Sequence, residues 1–144
     1  MIALVSYGLG NIEAFLRVYK RLGISAQAVT TAEGLRKADK IILPGVGAFD
    51  YAMAKLESSG MRGVLDELVL EKRVPVVGVC VGMQMMMEAS DEGALPGLGW
   101  VKGRVRHFGA AVTDARYPLP HMGWNTVSPS ASSPLFLEIG RAHV

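Results

Sequence analysis

The sequence predicts an α/β protein built on a doubly wound parallel sheet, and three observations carry that expectation. Short apolar runs recur along the chain (Ile2-Ala3-Leu4-Val5, Ser25 to Val29, Lys40-Ile41-Ile42-Leu43, Val74-Pro75-Val76-Val77), with stretches of helical periodicity between them. Glycine-rich turns follow three of these runs directly, so the unusual backbone falls at strand ends, where sheets of this kind place their sites. A length of 144 residues with 50% hydrophobic content and a mean hydropathy of +0.28 suffices for one domain with a substantial core.

The elements follow in order. Ile2 to Val5 is a strand closed by Tyr7-Gly8-Leu9-Gly10-Asn11, and Ile12, Phe15, Leu16, Val18, Tyr19 and Leu22 then recur at helical spacing up to a C-capping Gly23. Ser25 to Val29 is a second strand, and Thr31 is placed to cap a helix running through Ala38. Lys40 to Leu43 is a third strand. The following Pro44-Gly45-Val46-Gly47-Ala48-Phe49 is too rich in glycine to continue it, and Met53, Leu56, Met61, Val64, Leu65, Leu68 and Val69 mark one or two helices. The fourth strand leads through Gly78-Val79-Cys80-Val81-Gly82 into a helix reaching Met87.

After Glu92 the pattern changes. Gly93, Pro96, Gly97 and Gly99 punctuate a loop, and Trp100 to Phe108 alternates as an antiparallel strand would, which predicts an appended antiparallel hairpin or small sheet. Pro118, Pro120, Pro129 and Pro134 break the remainder into short pieces, with no further βα unit and no internal repeat. The expected organisation is a single domain over residues 1–144.

Composition narrows the function. The formal charge of +2, from 15 basic and 13 acidic residues, contains no block of like charge, so nothing points to nucleic acid or a membrane surface as partner. A single cysteine forms no internal disulfide, and the first residues lack the basic flank and apolar length of a signal peptide, which together favour the cytoplasm. No apolar run approaches the roughly 18 residues that span a bilayer.

The motif of greatest chemical weight is Gly78-Val79-Cys80-Val81-Gly82, the thiol version of a nucleophile elbow. Glycines on both sides let the chain reverse tightly enough to hold Cys80 exposed beyond the sheet's carboxyl edge; an inert buried cysteine would not need them. Pro44-Gly45-Val46-Gly47 is suited to present consecutive backbone N–H groups beside the elbow as an oxyanion site, although an ordinary β-turn accounts for the same residues. Tyr7 to Asn11 resembles a dinucleotide fingerprint only superficially, since the third glycine and the acid ending a second strand are missing. Met83, Met85, Met86 and Met87 read as packing between elbow helix and sheet, and Lys102, Arg104 and Arg106 as a solvated face rather than a phosphate site.

Taken together, Tyr7-Gly8-Leu9-Gly10-Asn11, Leu43 to Phe49, Gly78 to Gln84, Ser90-Asp91-Glu92-Gly93 and Pro120-His121-Met122-Gly123-Trp124-Asn125 resemble the glutaminase subunits of imidazole glycerol phosphate synthase, a branch of the class I glutamine amidotransferases with a flavodoxin-like fold. The resemblance covers almost the whole chain. It implies that Cys80 attacks the side-chain amide of glutamine and that the ammonia released passes to a cyclase subunit, the heterodimer partner, with no metal or organic cofactor. It further implies that Gly45, Val46 and Gly47 form or flank the oxyanion site and that Gln84 and Glu92 hold the substrate, a carboxylate being apt for its α-ammonium. His121, Met122, Gly123, Trp124 and Asn125, with Tyr7 and Asn11, fall near the partner interface on the family's pattern. A solvent-facing acid at Glu92 and a loop-satisfied imidazole at His121 are the plainer alternatives.

The sequence departs from that family in its last part. The family's base is a histidine in a C-terminal His-x-Glu arrangement, and here neither His107, His121 nor His143 is followed two residues on by glutamate. Residues 138–144 do not resemble the family and read like a translated sequencing adapter, so the expectation is an artificial terminus, with the natural protein continuing past about Leu137. Without the closing strands, a parallel sheet is expected to expose an unpaired edge, and the chain as given is expected to lack activity, as a fragment or pseudo-glutaminase that only binds a partner. A paralogous amidotransferase of surface-polysaccharide synthesis shares the same motifs.

Overall fold

Ile2–Val5 (β1), Ala26–Val29 (β2), Lys40–Gly45 (β3) and Val76–Cys80 (β4) form one parallel sheet in the order β2-β1-β3-β4. The computed structural model describes residues 1–111 together with Gly123, Trp124, Thr126 and Ser128. The chain divides into two compact units, Met1–His107 and Phe108–Val144. The first holds the sheet; in the second, Phe108–Ala111 form a helical turn. Among the described residues no helix is long and apolar enough to cross a membrane.

The strand order produces the two layers. The first crossover, through α1 (Ile12–Arg21), runs from β1 outward to β2, whereas the later ones, through α2 (Ala32–Leu35) and then α3 (Phe49–Ser58) and α4 (Arg62–Asp66), run the other way. Right-handed crossovers in opposite directions put helices on opposite faces. Ala3, Val5, Ile41 and Leu43 pack with Leu35, Phe49, Met53, Leu56, Met61 and Leu65 in one core cluster, while Leu4 and Ile42 are buried outside that cluster, as the alternation of a strand requires. Helix α1 has no fully buried residue, and Val18 and Leu22 are exposed.

Local chemistry accounts for the helix starts and stops. Asn11 caps α1 by accepting from the Ala14 amide at 3.1 Å, and Thr31 caps α2 by accepting from the Gly34 amide at 3.1 Å. Helix α4 loosens into a π-helical turn over Glu67–Glu71, where the Lys72 amide donates five residues back to Glu67. Arg73 then leaves the helix with φ 55°, a C-terminal position that glycine usually takes.

Several sequence expectations are corrected. Helix α2 stops at Leu35 rather than Ala38. Strand β3 runs through Pro44 and Gly45, which pair with Val79 and Cys80, instead of ending at Leu43. Proline is tolerated because β1 pairs with β3 only as far as Ile42, so the N–H that Pro44 lacks had no ladder partner on that side; its carbonyl accepts from the Tyr7 hydroxyl instead.

The appended pair is parallel, not antiparallel: β5 (Met87–Ser90) pairs with β6 (Val101–Val105), with Met87 opposite Val101 and Ser90 opposite Val105. Alternation fixes which face a side chain takes, not which way a strand runs. Residues 91–100 fold back along β5 instead of turning at its end, and the returning amides of Leu98, Gly97, Gly99 and Val101 donate to the carbonyls of Met85, Glu88, Met87 and Met86. The bond from Leu98 takes the last carbonyl of α5 (Val81–Met85) and the others take the carbonyls of the three residues after it, so the helix ends two residues short of Met87. Phe108, read as the end of the hairpin strand, is helical. Of the methionine run, Met85 is fully buried and Met86 packs on the core, but Met83 is half exposed.

Among the described residues β4 is an edge of its sheet. A continuous apolar strand suits a site covered on both faces, yet Val77 is exposed and Val76 and Val79 are only half buried.

Candidate active site

Cys80 is the last residue of β4 and the residue that caps α5, and its backbone sits at φ 56° and ψ −123°. A side chain rarely tolerates that conformation, which costs on the order of 1–3 kcal/mol. The thiol is exposed. The strain persists because the backbone around it is over-determined by contact. Gly82 packs its Cα on the Leu43 carbonyl, and Gly45 packs on the amide of Gly82; an added Cβ at either position would lie well inside 3.0 Å of backbone atoms. At Gly78 a Cβ would come within 2.7 Å of the Met83 amide nitrogen, so the approach of strand to helix needs glycine on both sides of the nucleophile.

The Pro-Gly loop lies beside this turn by register, since Gly45 is the parallel partner of Cys80. Val46 and Gly47 are exposed and Gly47 has φ 84°, so the chain reverses direction just past the strand and leaves the backbone of residues 46 and 47 accessible at the carboxyl edge, while Gly45 itself is buried. The first glycine turn supports it from the other side: a Cβ on Gly10 would lie 2.8 Å from Cβ of Pro44. Three turns far apart in sequence therefore meet at the ends of β1, β3 and β4, at the switch point of the strand order.

Tyr7 is buried, 5% exposed, and its hydroxyl donates to the Pro44 carbonyl at 2.7 Å, so it braces the Pro-Gly loop from within. Burial disfavours the phenolate and pushes its pKa from 10.0 up to about 12. Asn11 is exposed, with its side-chain oxygen engaged as the α1 cap.

Gln84 lies on α5 one turn from the nucleophile, and its Oε1 is buried without a hydrogen-bond partner among the described residues. Glu92 is exposed in the loop after β5, its amide donating to Ser90 Oγ at 3.2 Å. That loop is fastened at several points. Asp50, in the first turn of α3, accepts from the amides of Ala94 at 2.9 Å and Leu95 at 3.0 Å, and Asp91 pairs with Arg104 at 2.7 Å and accepts from the His107 amide at 3.1 Å. The His107 amide, followed by Arg104, holds the Asp91 carboxyl below the usual carboxylate range. Asp50 was not singled out in the sequence, because an acid in a first helical turn is ordinary there; its only signal is the glycine at 93, whose missing Cβ admits the carboxylate.

His121, Met122 and Asn125 lie outside the described residues. In the second unit Gly123 has φ 145° and Trp124 is 86% exposed.

A strained cysteine at the carboxyl end of a parallel sheet, beside a glycine loop that offers its backbone, defines a protein of thiol-based acyl transfer. The model of the family "Glutamine amidotransferase class-I" matches residues 3–143, and the chain belongs to that family. Its curated relatives are narrower in kind. The chain is 59% identical over 136 residues to "Imidazole glycerol phosphate synthase subunit HisH" of Bdellovibrio bacteriovorus, covering 94% of this chain and 67% of that one. It is 48% identical to subunit HisH 2 of Pseudomonas aeruginosa (94% and 65% covered) and 44% identical to HisH of Leptospira interrogans (96% and 68% covered). The chain thus spans about two thirds of the length of the curated relatives it matches, 65–68% in these three. A crystal structure titled as a glutamine amidotransferase aligns with TM-score 0.61 at 22% identity, over 73% of this chain and 55% of that chain, which supports the fold.

Proposed function

We propose that this chain is a glutaminase subunit in the cytoplasm that releases ammonia from glutamine and passes it to a cyclase subunit, which makes imidazole glycerol phosphate and an aminoimidazole carboxamide ribonucleotide in histidine biosynthesis. The single observation that carries the chemistry is Cys80 at φ 56°, held strained and exposed in register with Gly45. The HisH relatives support the pathway, and the absence of any membrane-crossing helix among the described residues agrees with the compartment. Residues 1–144 belong to one amidotransferase domain in this reading.

The Cys80 thiolate adds to the carbonyl carbon of the glutamine amide, and the developing oxyanion is met by backbone N–H groups of residues 45–47. Collapse breaks the C–N bond, and the nitrogen takes up the proton that the Cys80 thiol released on forming the thiolate, so that it leaves as ammonia. Water then hydrolyses the thioester to glutamate and restores the thiol, so glutamine and water become glutamate and ammonia. The buried Oε1 of Gln84, which has no hydrogen-bond partner among the described residues, is the acceptor this reading assigns to the substrate's nitrogen groups, and Glu92 supplies a carboxylate for the α-ammonium. No cofactor is required by these steps. For the cyclase partner, the resemblance assigns His121, Met122, Gly123, Trp124 and Asn125 in the second unit and Asn11 in the first; of these Trp124, Gly123 and Asn11 are exposed, and an exposed indole suits an interface core.

One observation favours a second reading, binding without turnover: none of His107, His121 and His143 precedes a glutamate by two residues. The test is ammonia release from glutamine with a cyclase partner present. Release that Cys80→Ser abolishes supports the glutaminase; glutamine or partner binding with no release, equal in wild type and Cys80→Ser, supports the second reading.

A further inference from the structure

Asp50 ties together two parts of the site that the sequence keeps far apart. It stands one residue into α3, the helix that begins just after the Pro-Gly loop, and its carboxylate spans the amides of Ala94 and Leu95, one on each oxygen. Both bonds join an anionic acceptor to backbone N–H groups, the stronger kind of hydrogen bond. Gly93 lies against the same carboxylate, where a Cβ would fall well inside 3.0 Å of Asp50 Oδ1 and 3.0 Å from Cδ1 of Phe49. Glycine at 93 and aspartate at 50 therefore form one fitted joint. Phe49 beside it is fully buried, so the joint rests on the core rather than on a mobile surface.

The joint immediately follows Glu92. The stretch from Ser90 to Leu95 is held at its start by the Ser90 hydroxyl, which accepts from the Glu92 amide, and at its end by Asp50. We propose that Asp50 is a positioning residue for glutamine recognition: it locks the loop so that the Glu92 carboxylate is pre-set for the substrate's α-ammonium in fixed relation to the oxyanion loop that leads into α3. The role acts through Glu92 and touches no reacting atom. It rests on the glutaminase reading above and deepens it by assigning what holds the ammonium-binding group in place. Pre-organisation of this kind shows in half-saturation, since the ordering that binding would otherwise require is already done.

The test uses the 144-residue chain and two alkylating reagents: 6-diazo-5-oxo-L-norleucine, which carries the amino-acid end of glutamine, and iodoacetamide, which does not. For Asp50→Ala, the half-saturating concentration of the amino-acid reagent is expected to rise about tenfold, with its limiting rate within about twofold of wild type. Iodoacetamide labelling of Cys80 is expected to stay within about twofold, which a general loss of structure would not allow. Asp50→Asn keeps one acceptor oxygen and is expected to restore part of the affinity, about threefold weaker than wild type; it also carries the test should the alanine variant fail to fold. An N-acetylated analogue of the reagent, lacking the ammonium, is expected to bind both forms equally. Unchanged half-saturation in both Asp50 variants, or equal losses for both reagents, overturns the proposal. Glu92→Gln separates the two readings: raised half-saturation there with none in Asp50→Ala overturns the positioning role alone, whereas no change in either overturns the ammonium role and the inference built on it.

Discussion

The elbow end of the four-stranded sheet and the β5–β6 pair are held in place by opposite means. At the elbow, Gly45, Gly78 and Gly82 let backbone touch backbone, with no charge involved. Around β5 and β6 the work is done by carboxylates: Asp50 on Ala94 and Leu95, Asp66 on the Trp100 indole at 2.7 Å, Glu88 on the Gly103 amide at 2.9 Å, and Asp91 on Arg104 and the His107 amide. Steric contact fixes a nucleophile within tenths of an ångström and is indifferent to pH and salt. Carboxylate fastenings, by contrast, depend on charge and so respond to pH and salt.

The comparison can be broken most severely at Gly82. Gly82→Ala drives a Cβ into the Leu43 carbonyl and is expected to cost about 2–4 kcal/mol, read as a lower denaturation midpoint, with the elbow distorted. A midpoint within error of wild type would show that the backbone contact is looser than it looks. The next effect is alkaline. Because the Tyr7 pKa is raised by burial, the neutral form belongs to the folded state; its contribution is complete below 10.0 and declines as pH rises towards about 12, by on the order of 2–3 kcal/mol in total. Tyr7→Phe is expected to remove that alkaline decline and to cost about 1–2 kcal/mol at neutral pH, because the Pro44 carbonyl loses its donor. Urea melts across pH 8 to 12 in both forms check it.

The smallest effect lies on the other side of the comparison. Asp91 has a lowered pKa, so its fastening is present above 3.8 and is lost as pH falls through its depressed folded value. Protection of the His107 amide, its exchange rate compared with the unfolded chain's at the same pH, is expected to fall in acid, and Asp91→Asn to show that lower protection already at neutral pH, while the amides of α5 stay unchanged. Parallel loss in α5 would show that the two regions open as one.

Legibility in the sequence follows the same divide. Strands β1 to β4, the cap Thr31 and the elbow were readable because each depends on local chemistry: apolar period, a capping oxygen, glycines at fixed spacing; Asn11 as the cap of α1 was not singled out. The direction of β6 was not, since it is decided by residues 91–100 donating back to Met85–Glu88, a pairing without a local pattern. The sequence places the end of β3 at Leu43 because the glycines after it read as a turn, whereas Pro44 and Gly45 still pair with β4, and the N–H that Pro44 lacks has no partner because β1 stops short. The burial of Tyr7 was not legible, because nothing in the local pattern of its glycine turn shows that the ring is covered and bonded to the Pro44 carbonyl.

The backbone at Cys80 also bears on how such a protein ages over generations. Of the residues that position 80 accepts, only glycine takes φ 56° and ψ −123° without strain, so replacing the nucleophile by glycine relieves stress that every other substitution keeps. Selection for stability and selection for chemistry therefore pull in opposite directions at one codon. A lineage released from the need for ammonia would drift toward a sturdier, silent copy of the same fold by a single replacement at its most important residue.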